Sequence, residues 1–118
     1  MWIVGKVKRG LGIGTKLGYP TANLECGGGL CPIPGVYAAR VAINGAPRDA
    51  VAVVGARSED AKPLLEVHLL DFEDDLSGKE LAVEILNKIS EIENFSNDEK
   101  LKSKIEEDIR KARLCLQE

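Results

Sequence analysis

The segment Gly35 to Ile43 alternates, with Tyr37, Ala39, Val41 and Ile43 on one face of an extended chain. It runs directly into Asn44-Gly45. Both of these residues tolerate φ > 0, so the pair predicts a two-residue hairpin whose twist suits the flanking strands. The returning strand covers about Asp49 to Val54. Three further segments read as strands. Trp2 to Lys8 places Trp2, Val4 and Lys6 opposite Ile3, Gly5 and Val7. Leu64 to Leu70 sets Leu65, Val67 and Leu69 against Leu64, Glu66, His68 and Leu70. Glu80 to Ile89 carries Leu81, Val83, Ile85 and Ile89 in phase, after a turn at Asp75-Leu76-Ser77-Gly78. Several strands at short spacing with no helix between them predict a small antiparallel barrel or sandwich.

The chain changes character near its end. From residue 96 onward it has no glycine or proline and is dense in Glu, Lys, Asp and Leu. Leu101, Ile105, Ile109, Ala112 and Leu116 step by three and four, which makes one apolar stripe on a helix of about 97–117. Ser96-x-x-Glu99 reads as a capping box at its start. Glu106–Arg110 and Glu107–Lys111 are i,i+4 pairs on the wet face. Such a helix packs on the outside of the barrel or serves a partner.

The 118 residues suffice for one modest core, so residues 1–118 read as a single domain with the barrel over about 1–90. A net charge of −3 excludes a module held to nucleic acid by bulk electrostatics. No apolar run reaches the roughly 20 residues of a membrane helix. The N-terminus has no signal-peptide pattern. Three cysteines, Cys26, Cys31 and Cys115, suit the reducing cytoplasm better than a disulfide framework.

Three places could carry chemistry. The glycine-rich stretch from Gly10 to Gly18 includes Gly12, Gly14, Thr15 and Lys16. Its glycines would let backbone N–H groups approach phosphate oxygens, and Lys16 would add charge. Its order is neither a P-loop nor a dinucleotide fingerprint, and a plain glycine turn is the competing reading. Next comes Pro20-Thr21-Ala22-Asn23. Thr21 and Asn23 stand two apart in an extended stretch and offer neutral oxygens, which suit a Mg²⁺ ion balanced by phosphate charge. They could equally satisfy loop backbone. The third place is Glu66, mid-strand on the face shared with His68. A carboxylate there is costly unless paired or set in a cleft, and it could act as a general base with a raised pKa. Cys26, Cys31, Cys115 and His68 lack the paired spacing of a zinc site.

Together these segments resemble the riboflavin kinase (flavokinase) family. The matching pieces are Gly10 to Gly18, Gly18-Tyr19-Pro20-Thr21-Ala22-Asn23-Leu24, Pro34 to Ala38, Leu65-Glu66-Val67-His68-Leu69-Leu70-Asp71-Phe72, Asp75 to Gly78, and Asp108 to Arg113. They run in order over nearly the whole chain. The resemblance implies a six-stranded antiparallel Greek-key barrel with a C-terminal helix. It implies Mg²⁺-dependent transfer of the ATP γ-phosphoryl group to the ribityl 5′-hydroxyl of riboflavin, giving FMN. By resemblance, Gly10, Gly12, Gly14, Thr15 and Lys16 cradle the phosphates, and Thr21 and Asn23 hold metal and nucleotide. Glu66 takes the proton of the attacking hydroxyl, and Leu69, Asp71 and Ser77 line the adenine site.

The flavin side falls to Ser90, Glu93 and Phe95. Here the chain departs from the family: Ser90 stands where Arg is expected, Glu93 where Lys is common, and Ser77 where Tyr is usual. Phe95 is kept. The resemblance also implies an FAD synthetase partner, or an adenylyltransferase domain N-terminal to this one. Two alternatives share the barrel, namely a flavin- or nucleotide-binding module without efficient transfer and a kinase for another small hydroxyl acceptor. An oligonucleotide-binding barrel is disfavoured by the scarcity of aromatics and the negative charge.

Overall fold

The computed structural model describes residues 1–7, 21–25, 32–57, 63–71, 76 and 78–117. Its strands are β1 (Trp2–Lys6), β2 (Ala22–Glu25), β3 (Gly35–Ile43), β4 (Ala46–Arg57), β5 (Pro63–Leu69) and β6 (Glu80–Ser90), followed by helix α1 (Asp98–Leu116). They form one six-stranded sheet in the order β1-β6-β3-β4-β5-β2. Every neighbouring pair is antiparallel. The two outer strands, β1 and β2, approach each other, so the sheet curls into a nearly closed barrel with Greek-key connections. This is the architecture expected from the sequence.

The hairpin forms where Asn44-Gly45 predicts it, with φ of 51° and 81° at the two turn residues. A two-residue turn forces pairing to resume at once, which is why β4 starts at Ala46 opposite Ile43 rather than near Asp49. Pro47 is tolerated there because β5 reaches β4 only from Ala50 onward, leaving that side of β4 an edge. At its other end β4 passes a bulge at Gly55, with φ of 121°, and continues to Arg57. The short strand β2 lies within the stretch read from sequence simply as extended.

The alternation sorts two apolar layers. Ile3, Leu24, Tyr37, Ala39, Val41, Ala52, Val54, Leu65, Val67, Leu81, Val83 and Ile85 fill the barrel. Val36, Ala38, Val51 and Leu70 point outward and meet Ala112 and Leu116 of α1. Ile89 belongs to this outer layer, not in phase with Leu81, Val83 and Ile85 as the sequence suggests. Two register shifts between β3 and β6 separate Ile85 from Ser90, and such irregularities move the following side chains to the other face.

The helix docks on β3, β4 and β6, so the barrel-packing reading of its stripe holds. Its cap is Asn97 rather than Ser96, the Asn97 side chain accepting a hydrogen bond from the Lys100 N–H at 3.0 Å. Asn caps as well as Ser, so the helix starts one residue later than the box pattern implies. On the wet face Arg110 pairs with Glu107 at i,i+3, and Lys111 adds its charge to the same carboxylate at i,i+4 as the sequence predicts. Both spacings place side chains side by side on a helix. Among the described residues no helix is long and apolar enough to cross a membrane.

Candidate active site

Five strands contribute one residue each to a continuous cross-strand row. Asn23 on β2 stands opposite Glu66 on β5, Glu66 opposite Val53 on β4, Val53 opposite Val36 on β3, and Val36 opposite Ser90 on β6. Directly opposed residues share a face, and this row lies on the outer face, with Val36 and Val53 in the layer that meets the helix. Cβ atoms of such neighbours sit about 5 Å apart. Asn23 and Glu66 are therefore side-chain neighbours, whereas Ser90 is three strands from Glu66, about 14 Å along the sheet.

Glu66 is half-buried, and burial pushes its carboxyl above the usual glutamate range. Its neighbour across β4 is Val53, which offers no charge or hydrogen bond. Asn23 is 4% exposed, and its Oδ1 has no hydrogen-bond partner among the described residues. A buried amide oxygen left unpaired costs stability, which makes Asn23 a candidate ligand contact. Thr21 stands half-buried just before β2. Neutral oxygens from an amide and a hydroxyl, beside a carboxylate, fit a hard divalent cation whose charge is balanced by phosphates.

The other expected residues are spread more widely. Leu69 is buried on the opposite face of β5, inside the barrel, so its side chain does not join Glu66. Asp71 follows the end of β5 with φ of 58° and is exposed. Arg113 donates to both of its carboxylate oxygens, at 3.0 and 3.2 Å, and holds this carboxyl below the usual aspartate range. Gly10, Gly12, Gly14, Thr15, Lys16 and Ser77 lie outside the described residues, as do Cys26 and Cys31.

On the side expected to face the flavin, Glu93 is exposed and Phe95 half-buried. The Ser90 hydroxyl is engaged within the protein. It donates to Asp108 Oδ1 at 2.7 Å and accepts from Lys104 Nζ at 2.8 Å. Lys104 also reaches Asp108 Oδ2 at 2.6 Å. Sequence reasoning missed this cluster. Its signal was available, because Asp108 lies between Ile105 and Ala112 on the apolar stripe and Lys104 stands four residues before it.

A separate open groove of about 400 Å³ lies at the C-terminal end of α1, bordered by Asp49, Arg110, Arg113 and Leu114. Its arginines are already paired with Glu107 and Asp71, and none of the row residues lines it.

A small antiparallel barrel with an outer helix, carrying a half-buried carboxylate beside an amide oxygen that has no partner among the described residues, fits several classes of small-molecule protein. Comparison with known proteins specifies which. The model of the Flavokinase family, described as riboflavin kinase, matches residues 1–116. The chain belongs to the riboflavin kinase family and is a riboflavin kinase domain.

It is 40% identical over 114 residues to a bifunctional riboflavin kinase/FMN adenylyltransferase of Pseudomonas fluorescens, covering 94% of this chain and 37% of that protein. The chain thus spans little more than a third of that relative. The crystal structure of a riboflavin kinase from Trypanosoma brucei shares the fold, with a TM-score of 0.66 and 24% identity over 99% of this chain and 80% of that one. A structure described as a macrolide-efflux protein from Streptococcus pneumoniae superposes with a TM-score of 0.86 at 30% identity, covering 95% of this chain and 38% of that one.

Proposed function

We propose that this domain transfers the γ-phosphoryl group of ATP to the ribityl 5′-hydroxyl of riboflavin, releasing FMN and ADP, with residues 1–118 acting as one unit. The observation that carries the proposal is the Glu66–Asn23 pair, a carboxylate raised in pKa by burial next to a buried amide oxygen that has no partner among the described residues.

In this reading Glu66 accepts the proton of the 5′-hydroxyl as its oxygen bonds to the γ-phosphorus and the bond to the β-phosphate bridging oxygen breaks. A raised pKa suits a base that must take a proton and later release it near neutral pH. Thr21 and Asn23 would hold Mg²⁺ together with the nucleotide. When bound, the ion supplies charge neutralisation for the phosphates. Gly10, Gly12, Gly14, Thr15 and Lys16 would cradle the phosphates. Asp71 and Ser77 would contact the adenine side, with Leu69 contributing through its backbone because its side chain is buried in the barrel.

Ser90, Glu93 and Phe95 would form the acceptor side. We place the reaction in the cytoplasm, with FMN passed to an adenylyltransferase that is either a further domain or a separate FAD synthetase. The test is direct: purified protein, riboflavin, ATP and Mg²⁺ should yield FMN, resolved by chromatography, and chelation should abolish it. Absence of FMN from folded protein would overturn the reading.

A further inference from the structure

The segment after β6 leaves the sheet at Ser90 and reaches α1 at Asn97. Between them it is held at several points. Lys88 pairs with Glu91 at 2.6 Å. Ile92 leans on the Gly55 bulge so closely that a Cβ built there would lie 2.9 Å from Ile92 Cδ1 and 3.1 Å from Pro34 Cβ. The root of the segment is tied down by Ser90, whose hydroxyl bridges Asp108 and Lys104. These two charged side chains are 7% and 14% exposed, so water competes little for their bonds.

We infer that the Lys104–Asp108 pair of α1 is a positioning device that fixes the acceptor-side segment Glu91–Phe95 through Ser90, so that Ser90 acts on the acceptor at one remove. The inference rests on the riboflavin kinase reading for the identity of that acceptor. The single donor of the Ser90 hydroxyl is spent on Asp108, and one of its two lone pairs already receives Lys104. A hydroxyl so committed has little left for a ligand. What it does have is leverage. Ser90 ends the row that contains Glu66, and Glu93 and Phe95 follow it by only three and five residues. Fixing its position fixes where those side chains stand relative to the base. Misplacement of a substrate by an ångström is costly to turnover, which gives such an anchor its value.

Two variants cut the tie in different places. Ser90→Ala leaves the ion pair whole. Lys104→Met with Asp108→Leu replaces the pair by apolar side chains, a change that buried pairs often tolerate, and leaves the serine without partners. Each should raise the KM for riboflavin at least about fivefold, with the KM for ATP unmoved. Combining them should add nothing further, as for residues acting through one contact. Amide hydrogen exchange over 91–95 should quicken about tenfold in both.

A rise in KM confined to Ser90→Ala would show the serine acting directly on the acceptor and would overturn the inference. Unchanged exchange over 91–95 in both variants would overturn it as well. Wild-type protein that forms no FMN would remove the kinase reading, while the exchange experiment would still decide the anchoring.

Discussion

Asp108 and Glu66 are both carboxylates withdrawn from water on the outer side of the barrel, near opposite ends of one cross-strand row. Asp108 has a lysine and a hydroxyl on its two oxygens. Glu66 has a valine on one side and an asparagine on the other, and its pKa rises. A buried charge that is fully paired holds structure together. A half-buried charge with no cation beside it among the described residues stores free energy that a substrate or metal can release. Asp71, exposed and paired with Arg113, is a third case in which water screens most of what the pair could contribute.

The contrast can be broken from either end. The largest effect is expected at the paired carboxylate. Asp108→Ala would strand Lys104, a side chain only 14% exposed, and should cost about 3 kcal/mol of stability, read by denaturant unfolding. Survival of that variant at wild-type stability would show that the pair is wet and dispensable.

Glu66→Gln should do the opposite to stability while removing function. Turnover should fall at least about a hundredfold with nucleotide binding largely kept, because a base acts mainly in the transition state. The sign of its pH linkage follows from the raised pKa. Between the unfolded value near 4.5 and the higher folded value, the folded state binds more protons than the unfolded one. Ionising Glu66 therefore costs stability as pH rises through that window, and the cost persists at neutral pH. Glu66→Gln should melt higher than wild type at pH 7, and the gain should vanish at pH 4. A gain independent of pH would mean that burial of the charge is not its source.

Gly55→Ala is a steric counterpart. With φ of 121° and Ile92 and Pro34 against it, an added methyl should cost about 1–3 kcal/mol. It should also displace the segment that the Ser90 cluster anchors, visible as faster amide exchange over 91–95. The smallest effect belongs to Arg113→Gln. Asp71 has a depressed folded pKa, so its contribution is present above the ordinary value of 3.8 and is lost as pH falls through the folded value. The variant should lose a little stability at pH 6, nothing at pH 2, and less in high salt. A loss as large as that of Asp108→Ala would remove burial as the explanation of the difference.

Much of this was legible in the sequence, for local reasons. Asn44-Gly45 dictates the hairpin because few other residues accept positive φ at both positions. The alternation of Leu65, Val67 and Leu69 forces Glu66 and His68 to the other face of the strand, whatever the strand pairs with. The stripe from Leu101 to Leu116 yields the helix, and its motifs in order yield the family. Ile89 shows where the local logic stops. Its phase depends on register shifts against β3, which are set by the partner strand and leave no mark in the sequence of β6.

The site divides in the same way. Glu66 and Asn23 stand out individually as polar residues in apolar surroundings. That they are cross-strand neighbours depends on the register of β2 against β5, some 40 residues apart in the chain. Ser90 is the clearest case. Its place in the chain suggests a ligand contact, yet the helix arriving from residue 98 onward takes its hydroxyl for Asp108 and Lys104. Periodicity and turn chemistry are properties of a few consecutive residues, so the sequence by itself determined five of the six strands, the hairpin, the helix and the candidate base. Partnership between distant polar groups is a property of packing. The tertiary structure alone decided that Asp108 meets a lysine and a hydroxyl while Glu66 faces a valine and an asparagine.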